Sequence, residues 1–176
     1  MSNREKILKI IIFIVFVFYI LLMIKVLFLS RVPADRSFNL IPFQSVIEFL
    51  AGNTENARTF SYANLVGNIA IFVPIGFYIS FFRRESHKDN SVAICMLIVF
   101  VASLLTEIIH WVFGIGTADI DDVILNCIGG FAGILVCKLF MHIIKSEKIM
   151  YAIIAIISII GLPAIIYYLF IIKMML

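Results

Sequence analysis

Hydrophobic positions along the chain fall into five long runs, at about 7–29, 62–82, 91–113, 120–141 and 149–172. Each supplies the roughly 20 residues that cross a bilayer as a helix. The first run has no polar residue between Ile10 and Phe18, so its sequence marks no face for protein contact. It follows a basic tail, as a signal peptide would. It is longer than an ordinary signal core and no small-x-small site precedes Lys25, so a retained anchor helix is expected.

Between the first and second runs lies the longest polar stretch, from Ser30 to about Ser61. Pro33 and Pro42 restrict the residues before them to extended backbone, which predicts an extended Phe38-Asn39-Leu40-Ile41. Phe43, Val46, Ile47 and Leu50 then recur three and four apart, predicting a short amphipathic helix in this loop, with Gly52 available to end it. Such a helix either rests on the headgroups or dips between the spans.

Polar residues inside the runs are few and spaced. Asn64 and Asn68 share one face of the second run, with Gly67 beside them, and Pro74 and Gly76 are expected to kink or loosen the helix beyond. They either join neighbouring helices or face a cavity. The third run ends with Glu107, His110 and Trp111, the first two one turn apart and the last suited to an interfacial anchor. In the fourth, Gly129, Gly130 and Gly133 include a GxxxG spacing that admits close helix packing. The fifth is apolar apart from a possible break at Gly161 and Pro163.

Composition agrees with this pattern and adds sidedness. The 176 residues are 63% hydrophobic and 14% charged, with a mean hydropathy of +1.13, which describes an integral membrane protein. A single domain over 1–176 is expected, folded as an all-α polytopic bundle of about five transmembrane helices. Arg4, Lys6 and Lys9, then Arg83, Arg84 and Lys88, then Lys138, Lys145 and Lys148 mark alternate ends of the runs. The positive-inside rule then places the amino terminus in the cytoplasm and the carboxyl terminus outside. Cys95, Cys127 and Cys137 lie within the runs, with no disulfide or CxxC metal pattern, and read as small buried hydrophobes.

The chemistry concentrates at the start of the fourth run, in Asp119, Asp121, Asp122 and Asn126, with Glu107 shortly before. An acid at the centre of a membrane helix costs about 2.5 to 3.5 kcal/mol, so the cluster requires a reason. Asp119 and Asp121 suit a helix start, where a cap and the positive helix end accept anions. In helical spacing Asp119, Asp122 and Asn126 share a face. If Glu107 and Asp122 lay about 5 Å apart they would repel by about 3 kcal/mol, so a shared proton or a cation is expected there. The catalytic and metal roles of these residues stay open. No cofactor is expected beyond a divalent cation, because only one Glu-x-x-His pair is present and His87 and His142 fall on the other side.

Three blocks in order resemble the VanZ-like membrane proteins of bacteria. They are Asn39-Leu40-Ile41-Pro42-Phe43, then Asn64 through Phe77, then Thr106-Glu107 through Gly116 to Gly130, spanning roughly 38–140. His110 stands where the family pattern usually has Gln. The resemblance implies one polar unit at a bacterial plasma membrane, linked to resistance to the glycopeptide teicoplanin. Asn39, Pro42, Phe43 and Gln44 would then form a lid over Glu107, Asp119, Asp122, Asn126, Asn64 and Asn68.

Two functions follow as expectations. One is an envelope protein that alters antibiotic access or binding at the outer face. The other is an enzyme or carrier acting on a polyprenyl-phosphate-type lipid through Glu107, Asp119 and Asp122. Carboxylates repel phosphate, so the second requires a divalent cation or an arginine such as Arg31 or Arg36. A proton-coupled transporter is less consistent with five spans lacking an inverted repeat. The implied partners are the bilayer, a glycopeptide antibiotic or a lipid-linked precursor, and a second copy of the chain. No nucleic-acid motif is present.

Overall fold

The protein, seen in a computed structural model, is described over residues 3–29, 37–44, 47, 55–86, 91–115 and 117–175, with the backbone alone at 29, 55–64, 164–165 and 168–175. Five long helices follow the five apolar runs: α1 (Asn3–Ile24, continued by a π-helical turn at Lys25–Leu29), α2 (Glu55–Glu85), α3 (Val92–Phe113), α4 (Ile120–Ile143) and α5 (Glu147–Met175). Among the described residues four spans, Asn3–Phe28, Leu65–Glu85, Val92–Phe113 and Ile120–Ile143, are long and apolar enough to cross a membrane. This is a helical membrane protein.

Among the described residues there are also two short strands, β1 (Phe38–Asn39) and β2 (Ala118–Asp119). The extended segment before Pro42 is therefore present, and it is paired. Of the expected amphipathic helix in the first loop, Gln44 and Ile47 are helical and the Ile47 N–H donates to the Phe43 carbonyl at 2.9 Å. Val46, Leu50 and Gly52 lie outside the described residues.

Helix limits differ from the hydropathy pattern in two places. α2 begins at Glu55, ahead of the apolar run at 62, because Glu55, Ala57 and Arg58 are good helix formers that hydropathy cannot register. The break expected at Gly161 and Pro163 does not occur, and α5 runs through both. α2 likewise runs through Pro74. In an apolar medium an opened turn would leave more unsatisfied carbonyls than the one a proline already costs, so the helix persists.

The chain divides into two compact units, one of Met1–Ser30 with Lys138–Leu176 and one of Arg31–Cys137. In the first, α1 packs against α5, and the Lys9 ammonium lies 4.7 Å from the centre of the Tyr151 ring. That distance suits a cation–π contact.

In the second unit, α4 packs against α2 and α3 with little space between backbones. A Cβ added at Gly129 would meet the Ile69 carbonyl, one at Gly133 the Val73 carbonyl, and one at Gly76 the Gly130 carbonyl. The glycines therefore set the helix separation. At Gly67, by contrast, an added Cβ would meet nothing within 4 Å.

Gly133→Ala should thus lower stability by about 1 to 3 kcal/mol through overpacking, while Gly67→Ala should raise it by up to about 1 kcal/mol through helix propensity. Thermal unfolding in detergent checks both, and equal melting temperatures for the two variants would refute the packing argument.

Candidate functional site

The polar end of the second unit is built where α3 stops and α4 starts. α3 begins at Ser91, whose Oγ accepts the Ile94 N–H at 3.3 Å, and ends at Gly114 in the left-handed conformation (φ 63°). The Ile115 N–H returns to the His110 carbonyl at 3.0 Å, closing the last turn. The chain then turns back into β2. There Phe38 pairs with Ala118 and Asn39 with Asp119, in a parallel register that joins the first loop to the start of α4. The Ala118 N–H donates to the Ser37 carbonyl at 3.2 Å, and the Ser37 and Thr117 hydroxyls lie 2.9 Å apart.

Asp119 does three things at once. Its Oδ1 accepts the Asp121 N–H at 2.9 Å, which caps α4. Its two carboxylate oxygens accept the Asn39 amide at 3.2 and 3.3 Å, and its own N–H donates to Glu107 Oε2 at 3.1 Å. Because Asp119 lies in β2 and caps the helix, it does not share a helical face with Asp122 and Asn126 as the spacing predicts; the chain becomes helical only at Ile120.

Asp121 reaches further than a first-turn acid. Its Oδ1 accepts the N–H of Phe43, a short bond that pins the loop just past Pro42. Phe43 holds φ 66°, the left-handed region, and is alone in this among the described non-glycine residues. Such a conformation costs roughly 1 to 2 kcal/mol for an L residue. The Asn39 Oδ1 accepts the Ile41 N–H at 3.1 Å and fixes the turn from the other side. Pro42 is exposed, and Gln44 is half-buried.

Deeper in the unit, Asn68 of α2 donates to Asp122 Oδ1, and Asn126 of α4 donates to Ser103 Oγ of α3 at 2.9 Å. Asp122, Asn126 and Asn68 are all buried. Asn126 Oδ1 has no hydrogen-bond partner. Asn64 falls where only the backbone is described. On α3, Glu107 Oε2 and His110 Nδ1 lie 3.4 Å apart, and both residues are buried. The structure therefore brings Glu107 to Asp119 and His110, and Asp122 to Asn68. Among the described residues no group of three or more His, Cys, Asp or Glu side chains is placed to hold a metal ion.

Sequence reasoning missed Ser103 and Thr106. The signal was present, since Val99, Ser103, Thr106, Glu107 and His110 are all buried and recur at helical spacing along one stripe of α3. Beside this polar core is an open groove of about 380 Å³, lined by apolar residues including Phe38, Leu40, Ile108 and Trp111, with Glu107 and Asp119 in its wall.

A family model described as VanZ/LLP1 matches residues 13–141, well over half of the chain. The chain belongs to the VanZ/LLP1 family. A protein of Enterococcus faecium named Protein VanZ is similar to it, 33% identical over 100 residues, which are 57% of this chain and 52% of that protein. The chain thus spans about half the length of this curated relative. No solved structure matches it. The VanZ/LLP1 match contains β1, α2, α3, β2 and nearly all of α4, and so every contact of the polar end.

Burial raises the Asp119 carboxyl above the usual carboxylate range; the Asp121 N–H and Asn39 oppose the shift, and the charges of Asp121 and Glu107 add to it. A raised carboxyl pKa means that the folded state holds the proton more tightly than the unfolded state. This contribution to stability is greatest below the unfolded value and is lost as pH rises through the folded value. Unfolding of the parent and Asp119→Asn in detergent, from about pH 3 to about pH 7, should show the parent losing stability relative to the variant as pH rises. A constant difference would refute it.

Proposed function

We propose that this chain is a bacterial envelope protein that works at the exterior face of the plasma membrane and lowers binding of glycopeptide or lipoglycopeptide antibiotics of the teicoplanin type. Its amino terminus lies in the cytoplasm and its carboxyl terminus outside. Membership of the VanZ/LLP1 family supports the first part. The sidedness is supported by Arg83 and Arg84 in the last turn of α2, at the end of the helix remote from the loop that α2 follows.

One observation carries the reading further. The segment 37–43 is fastened to the start of α4 by β pairing, by Asn39 on Asp119 and by Asp121 on the Phe43 N–H. Held this way, Phe38, Leu40, Ile41 and Phe43 stand 67%, 68%, 64% and 57% exposed at one end of a membrane unit. Four apolar side chains presented at an interface meet the lipid-bearing part of an amphiphile, and a rigid loop does so at lower entropic cost than a loose one. The alternative, an enzyme or carrier for a polyprenyl-phosphate-type lipid, calls for a cation or for Arg31 or Arg36, which lie outside the described residues. No contact described above favours it.

The test is teicoplanin sensitivity and surface binding of labelled drug in a sensitive Gram-positive host at matched membrane levels of protein. The parent chain should protect, and Asn39→Ala, which frees the loop from Asp119, should return the host towards the empty-vector value. A parent chain that gives no protection at full membrane level overturns the reading. Loss of protection in a folded Asp122→Asn variant, with Asn39→Ala unaffected, would shift it to the enzyme or carrier.

A further inference from the structure

Cations gather at one end of the first unit. α1 and α5 pack side by side there, with the Lys9 ammonium on the Tyr151 ring, and each of these residues lies within about two turns of the start of its helix. The buried residues follow from that contact in the same direction, Ile12 and Tyr19 on α1 and Ile154, Ala155 and Ser158 on α5, so the two helices run parallel. Their starts therefore lie at one level. α4 ends at Ile143 and leads into α5 at Glu147, which brings the last turns of α4 to the same end. Residues 3–9 hold Arg4, Lys6 and Lys9, and residues 138–148 hold Lys138, Lys145 and Lys148, against Glu5 and Glu147.

These cations are not equivalent. Lys9 is engaged by Tyr151, and Glu5 and Lys138 have partners of their own. Arg4, Lys6, Lys145 and Lys148 are exposed, and among the described residues none pairs with their side chains. Ile7 and Ile10 on α1 and Ile149 on α5 are exposed beside them. A surface with cations at the rim and apolar side chains next to it matches a molecule with an anionic head above apolar chains. An acidic soluble protein would meet the cations and leave the isoleucines uncovered. A zwitterionic lipid would cover the isoleucines and set its own ammonium among the cations. An acidic phospholipid satisfies both.

We propose that this end of the first unit binds acidic phospholipid of the bilayer, its phosphate among Arg4, Lys6, Lys145 and Lys148 and its chains along α1 and α5. The site goes beyond the reading above and uses none of the residues of the polar end.

The full chain with Ile149→Trp and Trp111→Phe carries one indole, on α5 next to Lys148. It is placed in vesicles of phosphatidylcholine and phosphatidylglycerol, with one lipid or the other brominated on the upper acyl chain. Quenching at low salt should report phosphatidylglycerol enriched about fivefold over its share of the bilayer, the ratio that one cation near an anionic head supplies. At about 1 M salt the enrichment should fall towards unity, because screening then acts within about 3 Å. Arg4→Gln, Lys6→Gln, Lys145→Gln and Lys148→Gln together should remove most of it, while Lys25→Gln, at the far end of α1, should leave it unchanged. With Ile149 and Trp111 both native, Trp111 should report no enrichment. Absence of enrichment at low salt overturns the proposal, as does enrichment that salt leaves intact, and neither result needs the neutralised variant to fold. So do an enrichment that survives in the folded neutralised variant, its loss in Lys25→Gln, and an equal enrichment at Trp111.

Discussion

An ionised carboxylate in an apolar protein must be met by donors, and here three of those donors are backbone N–H groups that follow one another along the fold. Glu107 takes the N–H of Asp119, Asp119 takes that of Asp121, and Asp121 takes that of Phe43. Each acid thereby fixes the position of the next segment, so α3, β2, α4 and the first loop are tied in series. Long, mobile side chains can meet a carboxylate in many geometries. Backbone donors meet it only at one geometry, and that geometry is the shape of the polar end.

Helix packing makes this series possible. Glycines at 76, 129 and 133 let α2 and α4 approach until backbone meets backbone, which leaves Asn68 close enough to donate to Asp122. Close approach also brings Asn126 to Ser103 across the α3 side. The apolar residues that fill the remaining space, Phe72, Val99 and Ile134 among them, are wholly buried. Small residues and polar pairs together replace the hydrophobic driving force that helices lack within lipid.

Much of this was legible in the sequence because bilayer thickness imposes a length on apolar runs, and five such runs became five helices. The extended character of Phe38 to Ile41 was legible too, since Pro42 dictates it locally. The partner of that segment was not legible from spacing, because nothing local to Asn39 specifies Asp119 at a distance of 80 positions. Helical periodicity also misplaced Asp119, which an N-cap holds outside the helix it starts. The tie from Asp121 to the first loop was hidden for the same reason, as the group it meets at Phe43 is a backbone N–H and any residue type but proline supplies one. The proline at 163 misled in the other direction, since rules drawn from water overstate helix breaking where no solvent can take the freed carbonyl.

The pairing of β1 with β2 has a consequence for how the protein is made. Ribosomes add about 5 to 20 residues per second, so the segment around Asn39 emerges about 4 to 16 seconds before Asp119 exists. Two helices, α2 and α3, must be synthesised in that interval. Until then the apolar side chains of Phe38, Leu40, Ile41 and Phe43 have no strand to hold them. The last event in building this end of the molecule is therefore the arrival of α4, and a chain arrested before Asp119 would carry the whole loop without its anchor.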